Sequence, residues 1–331
     1  MDFDVVFGNA FRAGFGPTAA VYALLAIGLN VHYGYAGLVN FGQVGFMMLG
    51  AYGTAVMVAT WDQSLWVGIP FGLALCVVLA LALGIPTLRL RADYFAITTI
   101  AAAEILRILI RSSHATDLTG GPFGLQGIAG SFYDLNPIAS GQYGFGTFTY
   151  TSQQLWVMIV AWTLVVLCSL FVFLLIRSPW GRVVRAIRED EDAVMSLGKN
   201  TFNYKIQALI IGGVIGGLGG VMDAINQSGV GANNFMPQVT FFAYTALILG
   251  GAATRVGPVV GAMLFWWLRE FVESTVRQLS VQDWPPGWFT DFLDGSAGAI
   301  SITLVGVGLI VLIAFRPQGI FGRREEMQLN V

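Results

Sequence analysis

Three stretches of this chain, residues 13–61, 63–88 and 135–176, contain no Asp, Glu, Lys or Arg. A helix that crosses the hydrocarbon core of a bilayer needs about 20 apolar residues, and each run meets or exceeds that length. Lipid offers backbone groups no water to bond, so only helices and closed barrels can span it. A barrel would alternate apolar and polar residues in segments of about 10. The stretch 73–83 reads LALCVVLALAL and does not alternate. The chain is therefore expected to be an all-α polytopic membrane protein. Charge content supports this: 11% of its 331 residues are charged, against about 25% in soluble domains.

Apolar runs near 17–31, 37–60, 64–85, 94–111, 154–176, 206–226, 239–253, 257–271 and 297–315 predict eight to ten membrane segments. Several are short or Gly-rich, so broken or re-entrant helices are expected within a single transmembrane domain over 1–331. Lys and Arg mark cytoplasmic loops. Residues 177–205 hold Arg177, Arg182, Arg185, Arg188, Lys199 and Lys205, and smaller clusters are Arg89 with Arg91 and Arg316 with Arg323 and Arg324. All three regions are assigned to the cytoplasm. The segment 112–153 lacks Lys and Arg and is assigned outside as an external loop; the acidic stretch holding Asp283, Asp291 and Asp294 is also assigned outside. The side of the N-terminus stays open, because 17–60 can cross once, twice or three times. The acidic start MDFDVVFGN is unlike a cleavable signal peptide, so targeting falls to the first span.

Catalytic signatures are not found. No GxxxxGK[ST] phosphate loop occurs, and the histidines are His32 and His114. Cys76 and Cys168 lie in apolar runs and match no metal or disulfide spacing. The expectation is a non-enzyme with no metal and no cofactor of its own. The run IIGGVIGGLGGVM (210–222) instead sets Gly212, Gly216 and Gly220 four apart, a ridge that lets helix backbones approach closely in lipid.

The stretch SPWGRVVRAIREDEDAVMSLGKNTFNYKIQAL (178–209) joins two apolar runs. Arg182, Arg185 and Arg188 suit the anionic inner leaflet. The acids 189–192 suit the positive end of a short helix. Ala193, Val194, Met195 and Leu197 follow as an apolar surface, Ala193 is read as helix interior, and Gly198 can end the helix. Such a segment is either an ordinary cytoplasmic loop or a docking element for a partner's groove.

This loop resembles that of the branched-chain amino-acid ABC permeases, the LivM-type family, which carries a degenerate EAA motif with a downstream Gly. The matching residues are Glu191, Asp192, Ala193 and Gly198, with Asp192 departing from the Ala of the pattern. Four further blocks resemble the family in the same order: LNVHYGYAGLVNFGQVGFMMLGAY (29–52), DLTGGPFGLQGI (117–128), LILGGAATRVGPVVGAML (247–264) and FRPQGIFG (315–322). The resemblance implies a type II importer fold in a bacterial inner membrane. Its implied partners are a second homologous permease, two ATPase subunits that bind the ATP and Mg, and a periplasmic binding protein. It also implies that Arg185, Arg188, Glu191, Asp192, Ala193, Leu197 and Gly198 belong to an ATPase-coupling loop. The solute would be a branched-chain or other neutral amino acid; urea and short amides are the alternative. Membrane lipid surrounds such a chain, and nucleic acid is no partner.

A translocation path needs polar groups at membrane depth. Asn30, Asn40 and Gln43 are the first candidates, because Gly34, Gly37, Gly42 and Gly45 allow a break whose backbone can line a path. Thr98, Thr99, Asn226 and Gln227 are weaker ones. Glu104 and Arg107 are spaced for a local ion pair on one face with Arg111. Asp223 has no evident partner in sequence, which suits either a solvated acid or one that meets solute. An ion-driven secondary transporter is the rival class; it would show intramembrane carboxylates without adjacent Arg, and Asp223 alone fits.

Overall fold

A computed structural model describes residues 3–88, 92–145, 148–280, 287–316 and 318–322. Arg89, Arg91, Asp283, Arg323 and Arg324 lie outside them. Helices dominate. The first is α1 (Phe3–Phe15), joined at Gly16 to α2 (Pro17–Leu29). Helix α2 runs on as a π-helix (Asn30–Tyr35), and the chain then loses helical form until α3 (Gln43–Ala55), which ends in a second π-helical turn (Val56–Thr60). Next come α4 (Leu65–Thr87), α5 (Ala92–Arg111) and two single-turn helices, α6 (Thr116–Thr119) and α7 (Gly130–Tyr133). Helix α8 (Ser152–Arg177) leads into α9 (Pro179–Glu189) and α10 (Glu191–Ser196). The chain closes with α11 (Thr201–Gln227), α12 (Pro237–Gly250), α13 (Gly257–Ser280) and α14 (Gly287–Phe315).

Among the described residues, four helical stretches are long and apolar enough to cross a membrane: 43–60, α4, α8 and α11. Helix α1 with 17–35 adds a fifth as a pair bent by 42°. The structure does not confirm eight to ten segments. Helices α5 and α13 carry Glu104, Arg107, Arg269, Glu270 and Glu273, and α12 has only 14 residues. Asp291 and Asp294 of the acidic stretch fall within α14. Nor is the chain purely α-helical. Two short antiparallel ribbons form, β1 (Leu125–Gln126) with β4 (Gly229–Val230), and β2 (Gln142–Phe145) with β3 (Phe148–Thr151). The first pins the 112–153 region to the end of α11.

Burial inverts the pattern of a soluble protein. Helix α8 exposes Val166, Leu167, Leu170, Phe171 and Leu174, side chains that only an apolar solvent or a partner helix accommodates. Helix α11 lies at the centre, against α2, α3 and α4. Its glycines make that position possible. A Cβ on Gly220 would sit 1.9 Å from the Met47 carbonyl oxygen, and one on Gly216 would sit 2.2 Å from Gln43 Nε2. A Cβ on Gly212 would sit 2.3 Å from His32 Nε2. The glycine ridge is thus a backbone-contact seam with α2 and α3. Glu104 and Arg107 pair as their spacing predicts, with Arg107 Nε donating to Glu104 Oε2 at 2.9 Å.

Candidate functional site

Two regions hold most of the residues singled out by sequence, and both owe their position to interrupted helices. The first is the break between α2 and α3. The chain is non-helical at 37–40 and turns at 41–42, where Gly37 has φ +68° and a Cβ would meet Arg188 Cγ at 3.1 Å.

Asn30, Asn40 and Gln43 flank this break and are buried. Asn40 Nδ2 donates to Gln43 Oε1 at 3.2 Å and lies 3.1 Å from His32 Nδ1, while Asn40 Oδ1 accepts from Gly42 N at 2.9 Å. Gln43 Nε2 reaches the Gly212 carbonyl of α11 at 3.1 Å, and His32 Nε2 lies 3.1 Å from the Leu209 carbonyl. Both histidine contacts are satisfied when Nε2 carries the proton and Nδ1 accepts. Thr99 of α5 accepts from Phe41 N at 3.1 Å, so it joins the same cluster. Asn30 faces elsewhere. Its Oδ1 accepts from Ala253 N at 2.8 Å and its Nδ2 donates to the Thr254 carbonyl at 2.9 Å, strapping α2 to the turn between α12 and α13.

The other candidates stand apart. Thr98 is half-buried and returns its hydroxyl to the Tyr94 carbonyl of its own helix at 2.7 Å. Asn226 and Gln227 sit at the end of α11, where Gln227 Nε2 donates to Asp223 Oδ2 at 2.8 Å. Asp223 therefore has a partner one helical turn away. Sequence reasoning missed four members of the break cluster. His32 bridges Asn40 to α11; Thr240 accepts from Val44 N at 2.9 Å; Tyr244 donates to the Asn40 carbonyl at 3.1 Å; Arg188 Nη1 donates to the Gly34 carbonyl. No local signal marks them, because each contact joins distant parts of the chain.

Gln43 has both amide ends committed to buried partners, which supports a measurable expectation. Gln43→Leu should leave one Asn40 N–H unpaired and remove the second bond at the Gly212 carbonyl, at a cost of about 1–3 kcal/mol. Thermal unfolding of the detergent-solubilised protein should shift down by several degrees; an unchanged midpoint would show that water or relaxation replaces the amide.

The second region is the 177–205 loop. The basic part, read from sequence as a flank, is itself helix α9, which buries Gly181, Val184 and Ile187 and leaves Arg182 and Arg185 exposed. The acids divide differently from the sequence reading: Glu189 ends α9, and Asp190 caps α10, its side chain accepting from Ala193 N at 2.9 Å. Ala193 is thus a first-turn residue rather than interior, and a proline there would remove a cap bond of about 1 kcal/mol instead of a helical rung. Gly198, at φ +74°, takes the left-handed position past the helix end, with Gly198 N donating to the Met195 carbonyl and Lys199 N to that of Val194. Of the apolar residues Val194 turns inward, while Met195 is 49% and Leu197 80% exposed. Glu191 is held by an ion pair with Lys205.

The permease protein LivM of the high-affinity branched-chain amino acid transport system of Escherichia coli is 29% identical over 91% of this chain and 67% of its own length. A probable branched-chain amino acid transport permease protein LivM from Methanocaldococcus jannaschii is 25% identical over 91% of this chain and 90% of its own. The permease protein LivH of the high-affinity system of Salmonella typhimurium is 26% identical over 92% of each chain. The family described as the permease component of branched-chain amino acid transport systems matches residues 15–314, and the chain, a helical membrane protein with an interrupted, polar-lined segment, belongs to it.

Proposed function

We propose that this chain is one of two homologous permease subunits of an ATP-driven importer for branched-chain or other neutral amino acids, in a bacterial inner membrane. Two ATPase subunits would supply the energy, and a periplasmic binding protein would deliver the solute. The fold would be that of a type II importer, with α5, α12, α13 and α14 completing eight to ten membrane segments. ATP binding in the partners would bias a two-state equilibrium through the 177–205 loop and so alternate access to the path. The observation that carries this reading is the exposed, capped helix α10. Its Met195 and Leu197 side chains project at the opposite end of α8 from the 112–153 region, as a docking helix requires. The path would run beside the α2–α3 break, where Asn40, Gln43 and Thr99 meet.

Reconstitution tests the reading directly. Vesicles holding the permeases, the ATPases and the binding protein should accumulate labelled leucine only with ATP. Uptake sustained by an ion gradient without the ATPases would instead establish the secondary-transport class. Topology offers an independent check, because Ser131 and Ser196 are both exposed while Cys76 and Cys168 are buried. In intact cells an impermeant thiol reagent should label Ser131→Cys and spare Ser196→Cys; the opposite pattern would reverse the assigned orientation.

A further inference from the structure

A cavity of about 340 Å³ opens where α1, α2, α8, α11 and α13 meet, at the end of the molecule that bears the 112–153 region. Its volume is that of a small-molecule site. Two opposite charges line it without pairing with each other: Arg12 of α1 and Glu270 of α13. Arg12 Nη2 donates to Gln154 Oε1 at 3.3 Å, and its guanidinium lies 5.8 Å from the Tyr150 ring centroid. Glu270 accepts from Ser274 Oγ at 3.2 Å. Among the described residues neither has an ion-pair partner, whereas the next acid on α13, Glu273, takes both Arg269 at 3.3 Å and Arg277 at 2.9 Å. Each charge thus faces the chamber with only neutral hydrogen-bond partners beside it, and two of opposite sign share one polar chamber.

The surroundings sort by sign. On the Arg12 side the chamber meets the start of α2 through Gly16, Pro17 and Thr18, and no side chain caps that helix. Its free N–H groups and the guanidinium favour an anion. On the other side the Glu270 carboxylate favours an ammonium, and Asn9 and Asn226 add neutral hydrogen-bonding walls. Trp266 forms part of the wall, and its indole N–H is buried without a partner. The geometry points to a binding site for a zwitterion, a ligand carrying an anionic group and an ammonium a few ångströms apart. A free α-amino acid has this chemistry, and so does a phosphatidylethanolamine headgroup. The amino-acid occupant rests on the permease reading above; the charge pattern of the chamber does not.

The test uses the full-length chain with its partner permease and ATPases, without the binding protein, in nanodiscs of phosphatidylglycerol, which contain no zwitterionic lipid. Two probes are applied separately, labelled L-leucine and added phosphatidylethanolamine. At least one should bind. Its affinity should fall tenfold or more in both Arg12→Gln and Glu270→Gln, while Arg12→Lys and Glu270→Asp stay within about threefold of wild type. Isocaproate and isopentylamine, each with a single charge, should compete poorly. Which probe binds identifies the occupant. Failure of both probes on the wild type overturns the proposal. So does binding unaltered by the two neutralising changes, or binding lost equally in the charge-preserving variants, because charge would not then be what holds the ligand. Leucine uptake into vesicles is scored in parallel. Uptake that fails while Arg12-dependent binding persists removes the permease reading and leaves the site. Intact uptake with binding indifferent to Arg12 and Glu270 does the reverse.

Discussion

Gly220→Ala should abolish accumulation of folded protein in the membrane. The added methyl would lie 1.9 Å from the Met47 carbonyl oxygen, a backbone atom that cannot step aside unless α3 and α11 separate. Overpacking a tight contact costs about 1–3 kcal/mol and more where backbone must move, and here the separation would also strain the Gln43–Gly212 bond on the same seam. The expected penalty is about 3 kcal/mol or greater, a large share of the stability of a typical domain. Gly308→Ala is the matched control: nothing lies within 4 Å of a Cβ there, and alanine is the better helix former by about 1 kcal/mol. Size-exclusion chromatography of detergent extracts should show a monodisperse peak for Gly308→Ala and little or none for Gly220→Ala. A wild-type yield of monodisperse Gly220→Ala would mean that the seam is not in backbone contact.

Leu197→Glu should lower ATP-driven uptake at least tenfold while leaving membrane insertion intact. Leu197 is 80% exposed and sits past the last turn of α10, so its replacement removes no internal packing. In a docked state the same side chain would enter a partner's apolar groove, where an unpaired carboxylate costs several kcal/mol. A loss of that size disrupts association with the ATPases, which co-purification reports alongside uptake. Leu197→Met should retain both. If Leu197→Glu transports and co-purifies like wild type, α10 is no docking helix, and the energy input must enter elsewhere. Leu197 is preferred to a proline at Ala193 because the proline would sit in the first turn, where it costs only the Asp190 cap.

Features written into neighbouring residues were legible in the sequence. The apolar runs 64–85 and 154–176 marked helices α4 and α8 nearly to their ends, the glycines at 34, 37 and 42 marked the break, and the i, i+3 spacing marked the Glu104–Arg107 pair. Residues 3–15 were not read as a helix because Asp4 and Arg12 interrupt their apolar pattern, although α1 packs extensively on α13. Helix α9 was hidden for a similar reason, its apolar residues being single positions between arginines. What could not be read at all was pairing across the chain. Asn30 and Ala253 are 223 positions apart, and no local property of either announces the other. The division of the path candidates into a cluster at the break and outliers at the end of α11 is of this kind.

The break between α2 and α3 has a consequence for how motion can pass through the molecule. Its irregular backbone and amides share hydrogen bonds with α5 through Thr99, with α9 through Arg188, with α11 through Gly212, with α12 through Thr240 and Tyr244, and with the turn after α12 through Ala253 and Thr254. Each element thereby fixes one coordinate of the same segment, 30–44, as spokes fix a hub. Within lipid no water stands ready to replace a bond that is lost. A tilt of any spoke must therefore be met by re-registering the others or by leaving a polar group bare, and the hub converts separate helix displacements into a few concerted states.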